Sequence, residues 1–76
     1  MAPKLPRTTA KKILRALKKA GFYVHHQTGS HKILFHESRE DLTVVVPDHP
    51  GDLKVGTLSS IIKQADLSVD DFINLL

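Results

Sequence analysis

Histidine is the residue type in this sequence that is best suited to chemistry. The 76 residues include five histidines and no cysteine, so thiol catalysis, disulfide bonds and cysteine-bound zinc are excluded within them. The unperturbed pKa of an imidazole lies near neutrality, and a general acid or base of this kind contributes ~10²–10⁴ in rate. Around His31, Gly29 lets the backbone approach a phosphate, Ser30 adds a hydroxyl and Lys32 adds a positive charge. This combination is suited to metal-free cleavage of RNA.

The same spacing also allows a purely structural role for His31. Alternation along a strand places His31 on one face with Ile33 and Phe35, and Lys32 on the other face with Leu34 and His36. His31 could therefore simply extend the apolar face of the strand. Spacing alone favours packing over catalysis, and Gly-Ser-His is too short a string to decide between them.

The remaining histidines do not form a metal-binding motif. His25 and His26 are adjacent, so strand alternation predicts that their side chains point apart. No two histidines have the i, i+4 spacing of a helical metal site, and no acidic residue precedes Glu37. We therefore expect no metal and no cofactor. His25, His26 and His36 are expected at the surface, where contact with RNA is the less favoured alternative.

Two further residues each have more than one interpretation. His49 lies in a loop between Pro47 and Pro50, where it could carry a second proton, contact a phosphate, or rigidify the loop through a hydrogen bond. Tyr23 could stack on a base of a single strand or pack at the edge of a sheet.

Charge is distributed unevenly along the chain. Residues 1–36 contain eight Lys and Arg and no acid, whereas residues 37–76 contain all eight acids and only three cations. A basic half joined to an acidic half indicates a polyanion such as nucleic acid as partner, with a solvated basic helix as the alternative. The candidates for contacting phosphates along the first predicted helix are Lys11, Lys12, Arg15, Lys18 and Lys19.

Hydrophobic periodicity predicts the elements that position these residues. An apolar stripe at helical spacing predicts a first helix within residues 9–20, capped by Thr8 or Thr9 and ended by Gly21. A second helix is expected to be capped by Thr57, and Ser68 is expected to open a short third one. Three β-rich runs lie between the first two helices, namely Phe22–Gln27, His31–His36 and Leu42–Val46, the last stopped by Pro47.

This order predicts an α+β fold with one small domain over residues 8–76, after a flexible lead-in over residues 1–7. Short connections imply a three-stranded antiparallel sheet in α-β-β-β-α order, with two helices on one face and a short C-terminal helix. The other face, or the edge where strands meet helix ends, stays open for function. The layout is similar to that of a double-stranded-RNA-binding domain, which is an analogy of fold alone.

Composition gives no sign of a membrane protein. Uninterrupted apolar stretches such as Val44–Val46 are only about three residues long, against the roughly 20 that a transmembrane helix needs. The first residues carry charges with no apolar run behind them, which is not typical of a signal peptide. We therefore expect a cytoplasmic protein.

Four short motifs, in order and in register, resemble one known family. They are Gly21-Phe22 at the end of the first helix, Gly29-Ser30-His31, Val46-Pro47-Asp48-His49 and Gly56-Thr57-Leu58. Each motif alone is weak, but the four together span about residues 8–73 with their spacing kept. The sequence resembles the HicA-type toxins, mRNA interferases of bacterial and archaeal toxin–antitoxin pairs.

The resemblance implies a type II toxin that acts as a metal-independent endoribonuclease on mRNA. The catalytic histidine of the family carries over onto His31, with Ser30 and His49 as candidates for support and Gly29, Lys32 and the cations of the first helix as RNA contacts. A HicB-type antitoxin would be the protein partner. Two positions depart from the family pattern: Asp66 replaces a common glycine, and His25-His26 stands where an arginine often lies. Aspartate tolerates the left-handed conformation, so a helix can still end at Asp66.

Two functions of other classes remain as alternatives. A non-catalytic RNA-binding module of the same fold would share the basic helix but would be indifferent to loss of His31. A scaffold that docks a protein through its acidic half would have no RNA affinity.

Overall fold

The computed structural model describes residues 5–76, so residues 1–4 of the predicted lead-in lie outside the described residues. In chain order the elements are α1 (Ala10–Lys19), β1 (Phe22–Thr28), β2 (His31–His36), β3 (Thr43–Pro47), α2 (Val55–Gln64) and α3 (Val69–Leu75). The predicted order of helices and strands is confirmed.

Helix α1 forms where the apolar stripe predicted it. The hydroxyl of Thr9 caps the helix by accepting a hydrogen bond from the backbone N–H of Lys12, at 3.4 Å. Gly21 follows the helix with a φ of +99°, the left-handed conformation that glycine adopts without strain. The buried side of the helix consists of Ala10, Ile13, Leu14, Ala16 and Leu17.

The three strands form an antiparallel sheet in the order β1-β2-β3. β1 extends one residue further than predicted, and β3 is shifted by one residue so that Pro47 pairs with His31 at its end. Proline is tolerated there because β3 is an edge strand. The side chain of Gln64 accepts a hydrogen bond from the N–H of Val45 at 2.8 Å, which satisfies one donor of that edge.

The start of α2 differs from the sequence prediction. Thr57 does not cap this helix: α2 begins at Val55, with Lys54 as the capping residue and no side-chain hydrogen bond at the cap. The N–H of Leu58 donates to the carbonyl of Lys54 at 3.0 Å, so Thr57 already lies inside the first turn. In α3 the prediction is confirmed, because the hydroxyl of Ser68 accepts from the N–H of Asp71 at 3.0 Å.

One face of the sheet is covered and the other is open. Leu34, Val44 and Val46 are fully buried against α1 and α2, and Phe72 from α3 completes the same apolar cluster. On the opposite face, Ile33 and Phe35 are only half-buried. This α+β fold, with two helices on one sheet face and a short C-terminal helix, is the predicted one. Within residues 5–76, no helix combines the length and the apolar character needed to cross a bilayer.

Candidate active site

The Gly-Ser-His turn and the loop after β3 meet at one end of the sheet. The backbone N–H of Asp48 donates a hydrogen bond of 2.6 Å to the carbonyl of Ser30. Gly29 adopts a φ of +57°, and no atom lies within 4 Å of the position that a Cβ would occupy. Two motifs that are well separated in the sequence, one ending at His31 and the other beginning at Val46, are therefore held together in space.

His31 is exposed at the start of β2. It pairs with Thr28 on one side and with Pro47 on the other, at the end of the open face that also carries Ile33 and Phe35. The predicted sharing of a face is confirmed, but that face is not the core: Leu34, which points the other way, is the buried residue of the strand. The exposed ring is accessible to a substrate, and packing does not account for it.

Lys32 points to the helix side of the sheet, opposite to His31. Its ammonium lies 3.2 Å from a carboxylate oxygen of Asp48, and both side chains are partly buried. It also lines a groove of about 290 Å³ against α1, together with Lys11, Leu14, Arg15 and Lys18. The predicted positive charge is thus close to the turn, but it does not share a face with His31, because alternate residues of a strand point to opposite faces.

The cations of α1 divide between two sides of the helix. Lys11, Arg15 and Lys18 lie at i, i+4 and i+7 and line the groove that Lys32 closes. Lys12 lines a depression of about 340 Å³ with Leu75 and Leu76 from the C-terminal end, and Arg15 borders both this depression and the groove. The ammonium of Lys19 donates to the carbonyl of Leu75 at 3.2 Å and so contacts α3. The groove thus contains three of the five α1 cations that the sequence predicted as phosphate contacts.

His49 is exposed in the loop that follows β3. It lines a shallow groove of about 360 Å³ that runs past the first turn of α1, where Thr9 and Lys11 contribute. Among the described residues its ring makes no hydrogen bond that would rigidify the loop. Since Lys11 lines both grooves, His49 and the α1 cations border one continuous surface.

Comparison with known protein families identifies the family of this chain. The model of the family described as "HicA toxin of bacterial toxin-antitoxin" matches residues 10–67, which runs from the start of α1 to the turn before α3. The chain belongs to the HicA toxin family. No relative among curated proteins matches it. The family prediction is confirmed, and family membership makes this chain the toxin of a toxin–antitoxin pair with an antitoxin as partner.

His36 does not lie at the surface as expected. Its Nε2 lies 2.8 Å from the carbonyl oxygen of Ala20, and its Nδ1 accepts a hydrogen bond from the N–H of Ser38 at 3.1 Å. Because Nδ1 accepts, the proton resides on Nε2, which donates to Ala20. The ring also packs edge-on against Phe22, with the centroids 4.8 Å apart. His36 is therefore a partly buried structural residue.

The prediction that His25 and His26 point apart is wrong. The pairing of β1 with β2 shifts between Val24 and His26, which leaves His25 in a β-bulge. A bulge inserts an unpaired residue and so breaks strand alternation. The two rings consequently meet, with their Nδ1 atoms 2.9 Å apart. Across residues 5–76, no three histidine or carboxylate side chains are grouped so that they could hold a metal ion.

The departure at Asp66 is accommodated as predicted. This toxin residue has a φ of +56° after the end of α2, the left-handed conformation that aspartate tolerates. Asp48 is the site residue that sequence reasoning missed, because the variable position of Val-Pro-x-His gives no signal of its contacts with Ser30 and Lys32.

Proposed function

We propose that this HicA-family toxin is a metal-independent endoribonuclease that cleaves mRNA, with His31 as its general acid or base. The observation that carries the proposal is the exposure of His31 at a sheet end where a glycine turn is hydrogen-bonded to the loop that carries His49. The basic groove begins at the next residue, Lys32, on the other face of the sheet. A substrate can reach the ring of His31 without displacing any packed residue. Family membership shows that the chain is a toxin, and its ribonuclease activity is what we propose in addition.

The groove along α1 would bind the RNA backbone. Lys11, Arg15 and Lys18 are exposed on one side of the helix, and their spacing follows the helix axis. Such contacts neutralise phosphates and position the strand without reading its sequence. The ammonium of Lys32 is already paired with Asp48, so we assign it to holding the turn more than to free phosphate binding.

His31 would move the proton that strand scission requires. As a base it removes the proton of a 2′-hydroxyl, whose oxygen then bonds to the adjacent phosphorus while the bond to the 5′-oxygen breaks. As an acid it gives a proton to that leaving 5′-oxygen. The partner group for the other proton is His49 or Ser30, since the hydrogen bond between Ser30 and Asp48 keeps both beside the turn.

The test is cleavage of a long single-stranded RNA in EDTA by the wild type and by His31→Ala. We expect the wild type to cut and the variant to bind without cutting. His49→Ala, purified in the same way, reports on the second proton carrier. Equal cutting by the wild type and His31→Ala would refute the role of His31.

A second assay separates the enzyme from a non-catalytic RNA-binding module. If neither protein cuts naked RNA, the same pair is added to a translating extract and the mRNA ends are mapped. Cuts that depend on His31 there support the proposal. Binding with no cleavage in either assay overturns it in favour of the binding module.

The proposal extends to the partner and the compartment. A HicB-type antitoxin is expected to cover the surface around His31, since blocking that ring would silence the activity. The toxin is expected in the cytoplasm, where its mRNA substrate is translated. A pull-down with the antitoxin, followed by the same cleavage assay, tests the first expectation: cleavage by the complex would contradict it.

A further inference from the structure

Apart from His31, the open face of the sheet carries an ordered array of side chains that the proposed chemistry does not use. Strand register places them in three rows across the sheet. From the end that holds the candidate catalytic histidine, the rows are Thr28, His31 and Pro47; His26, Ile33 and Val45; and Tyr23, Phe35 and Thr43. Phe35 lies four residues from His31 along β2, or about 13 Å at ~3.3 Å per residue.

Aromatic and imidazole rings are concentrated at the far end of this face. The ring of His25 stacks on Phe35 with the centroids 4.3 Å apart and the planes at 20°. His26 stands edge-on to His25, with the centroids 5.1 Å apart. Phe35 is half-buried beneath the two exposed histidines, and Tyr23 beside it is 45% exposed. The β-bulge therefore places one imidazole flat on Phe35, while the residue that carries this imidazole stays exposed to solvent.

The strands place no carboxylate on this face that would repel nucleic acid, since β1, β2 and β3 contain no aspartate or glutamate. A depression of about 240 Å³ opens beside Phe35, between Tyr23 and Thr43, and Glu40 lies on its wall. A carboxylate there repels phosphate but accepts hydrogen bonds from the amino groups of bases. The depression is therefore suited to a base and not to the backbone.

We propose that Tyr23, His25 and His26, supported by Phe35, form a platform on which bases of single-stranded RNA stack. The inference rests on the proposed function, because it assigns the platform to the strand that His31 would cut. The base on the platform belongs to a nucleotide near the scissile bond but not at it. Base–aromatic stacking is sequence-tolerant, so the platform adds affinity and register without dictating a cleavage sequence.

The experiment measures binding of a short 2′-O-methyl RNA, which lacks the 2′-hydroxyl nucleophile and stays intact. We expect His25→Ala to weaken binding about tenfold, within the range for loss of one stacked base. His25→Phe keeps a ring and is expected to retain wild-type affinity. The slope of log K against log salt should be the same in all three proteins, because phosphate contacts are unchanged.

A matched oligonucleotide with abasic positions serves as the control for base stacking. The wild type and His25→Ala should bind it equally, because no base remains to stack. Equal affinity of both proteins for the base-containing RNA would overturn the platform. The platform would also be overturned if His25→Phe bound the RNA as weakly as His25→Ala. It would be overturned as well if His25→Ala lost affinity for the antitoxin but not for RNA, because the face would then be a protein contact.

The outcomes also separate this inference from the proposed function. If the wild type cuts RNA in a His31-dependent manner and His25→Ala binds normally, only the platform is wrong. If the wild type neither binds nor cuts RNA, the proposed function is wrong and the platform with it. A thermal melt of each variant shows that it is folded before its affinity is interpreted.

Discussion

Asp48 contacts both neighbours of His31, Ser30 through its backbone N–H at 2.6 Å and Lys32 through its carboxylate at 3.2 Å. The two contacts lie on either side of the candidate catalytic residue along the chain. Asp48 thus holds the start of β2 at two points, the carbonyl of Ser30 before His31 and the side chain of Lys32 after it. Asp48 is a positioning residue in this arrangement, since nothing requires it to touch the substrate.

The first prediction concerns the ion pair of Asp48. Asp48→Ala keeps the backbone hydrogen bond to Ser30 but frees Lys32, so we expect cleavage at saturating RNA to fall severalfold. Stability should change little, since a partly exposed ion pair contributes about 0–1 kcal/mol. Asp52→Ala removes the same charge from the same loop and serves as the control. Equal cleavage by the two variants would show that the ion pair positions nothing.

The second prediction concerns the basic groove. Each phosphate contact on a single strand contributes about 0.7 to the slope of log K against log salt. Lys11→Ala and Lys18→Ala should each flatten the slope by about that amount, because both side chains line the groove. Lys63→Ala, on the exposed side of α2, should leave the slope unchanged. The measurement is a salt titration with an RNA that cannot be cleaved.

Much of the fold could be predicted because two periodicities run along the chain almost without interruption. The bounds of β2 at His31 and His36 follow from alternation between a glycine turn and a polar stretch. The buried side of α2, formed by Leu58, Ile61 and Ile62, follows from helical spacing. The exposure of His31 is not predicted: spacing alone favours packing with Ile33 and Phe35, and the structure shows that this is the open face of the sheet.

The rest could not be predicted because it depends on contacts between distant residues. The bulge at His25 has no local signal, since neither glycine nor proline marks it. It nevertheless brings together the rings of His25 and His26, which strand alternation predicts to point apart. The partner of Lys32 is Asp48, far along the chain on the other side of β3, and only folding brings them together. The structural role of His36 depends on the carbonyl of Ala20, which the sequence gives no reason to choose.

The third prediction concerns Gly21, where α1 meets β1. A Cβ at this position would lie 2.7 Å from Nε2 of His36, and the φ of +99° adds strain. The ring cannot withdraw without losing its hydrogen bond to Ala20. Gly21→Ala should therefore lower the free energy of unfolding by about 1–3 kcal/mol.

Gly56 provides the contrasting case for the same substitution. It lies in α2, and no atom lies within 4 Å of the position that a Cβ would occupy there. Gly56→Ala should therefore stabilise the protein by about 0.4–1 kcal/mol. Urea unfolding of both variants against the wild type checks the pair. Equal effects in the two variants would contradict the assigned contact with His36.

The fourth prediction concerns acid stability. The guanidinium of Arg39 donates two hydrogen bonds to the carboxylate of Asp41, which holds the pKa of Asp41 below its usual 3.8. A lowered pKa means that the contribution to stability is present above the unfolded value and is lost as the pH falls through the folded value. Asp41→Asn should thus be slightly less stable than the wild type at about pH 7 and equal to it at about pH 2.

Denaturant unfolding at the two pH values gives this comparison directly. Asp52→Asn is the control, because Asp52 is an exposed carboxylate of the loop after β3 that forms no ion pair among the described residues. A difference between Asp41→Asn and the wild type that persists at the lower pH would assign the effect to packing and not to charge.

The fifth prediction concerns α3, which lies beyond the segment that matches the family. Phe72 is fully buried in the same cluster as Ile13 and Leu17 of α1, so the core of this toxin is incomplete without it. Phe72→Ala should cost about 3–5 kcal/mol, a large share of the roughly 5–15 kcal/mol that stabilises a small domain. Leu76→Ala, at a 44% exposed position in the same region, should cost much less. Thermal unfolding of the two variants measures the contrast, and equal melting temperatures would mean that α3 is dispensable for the core.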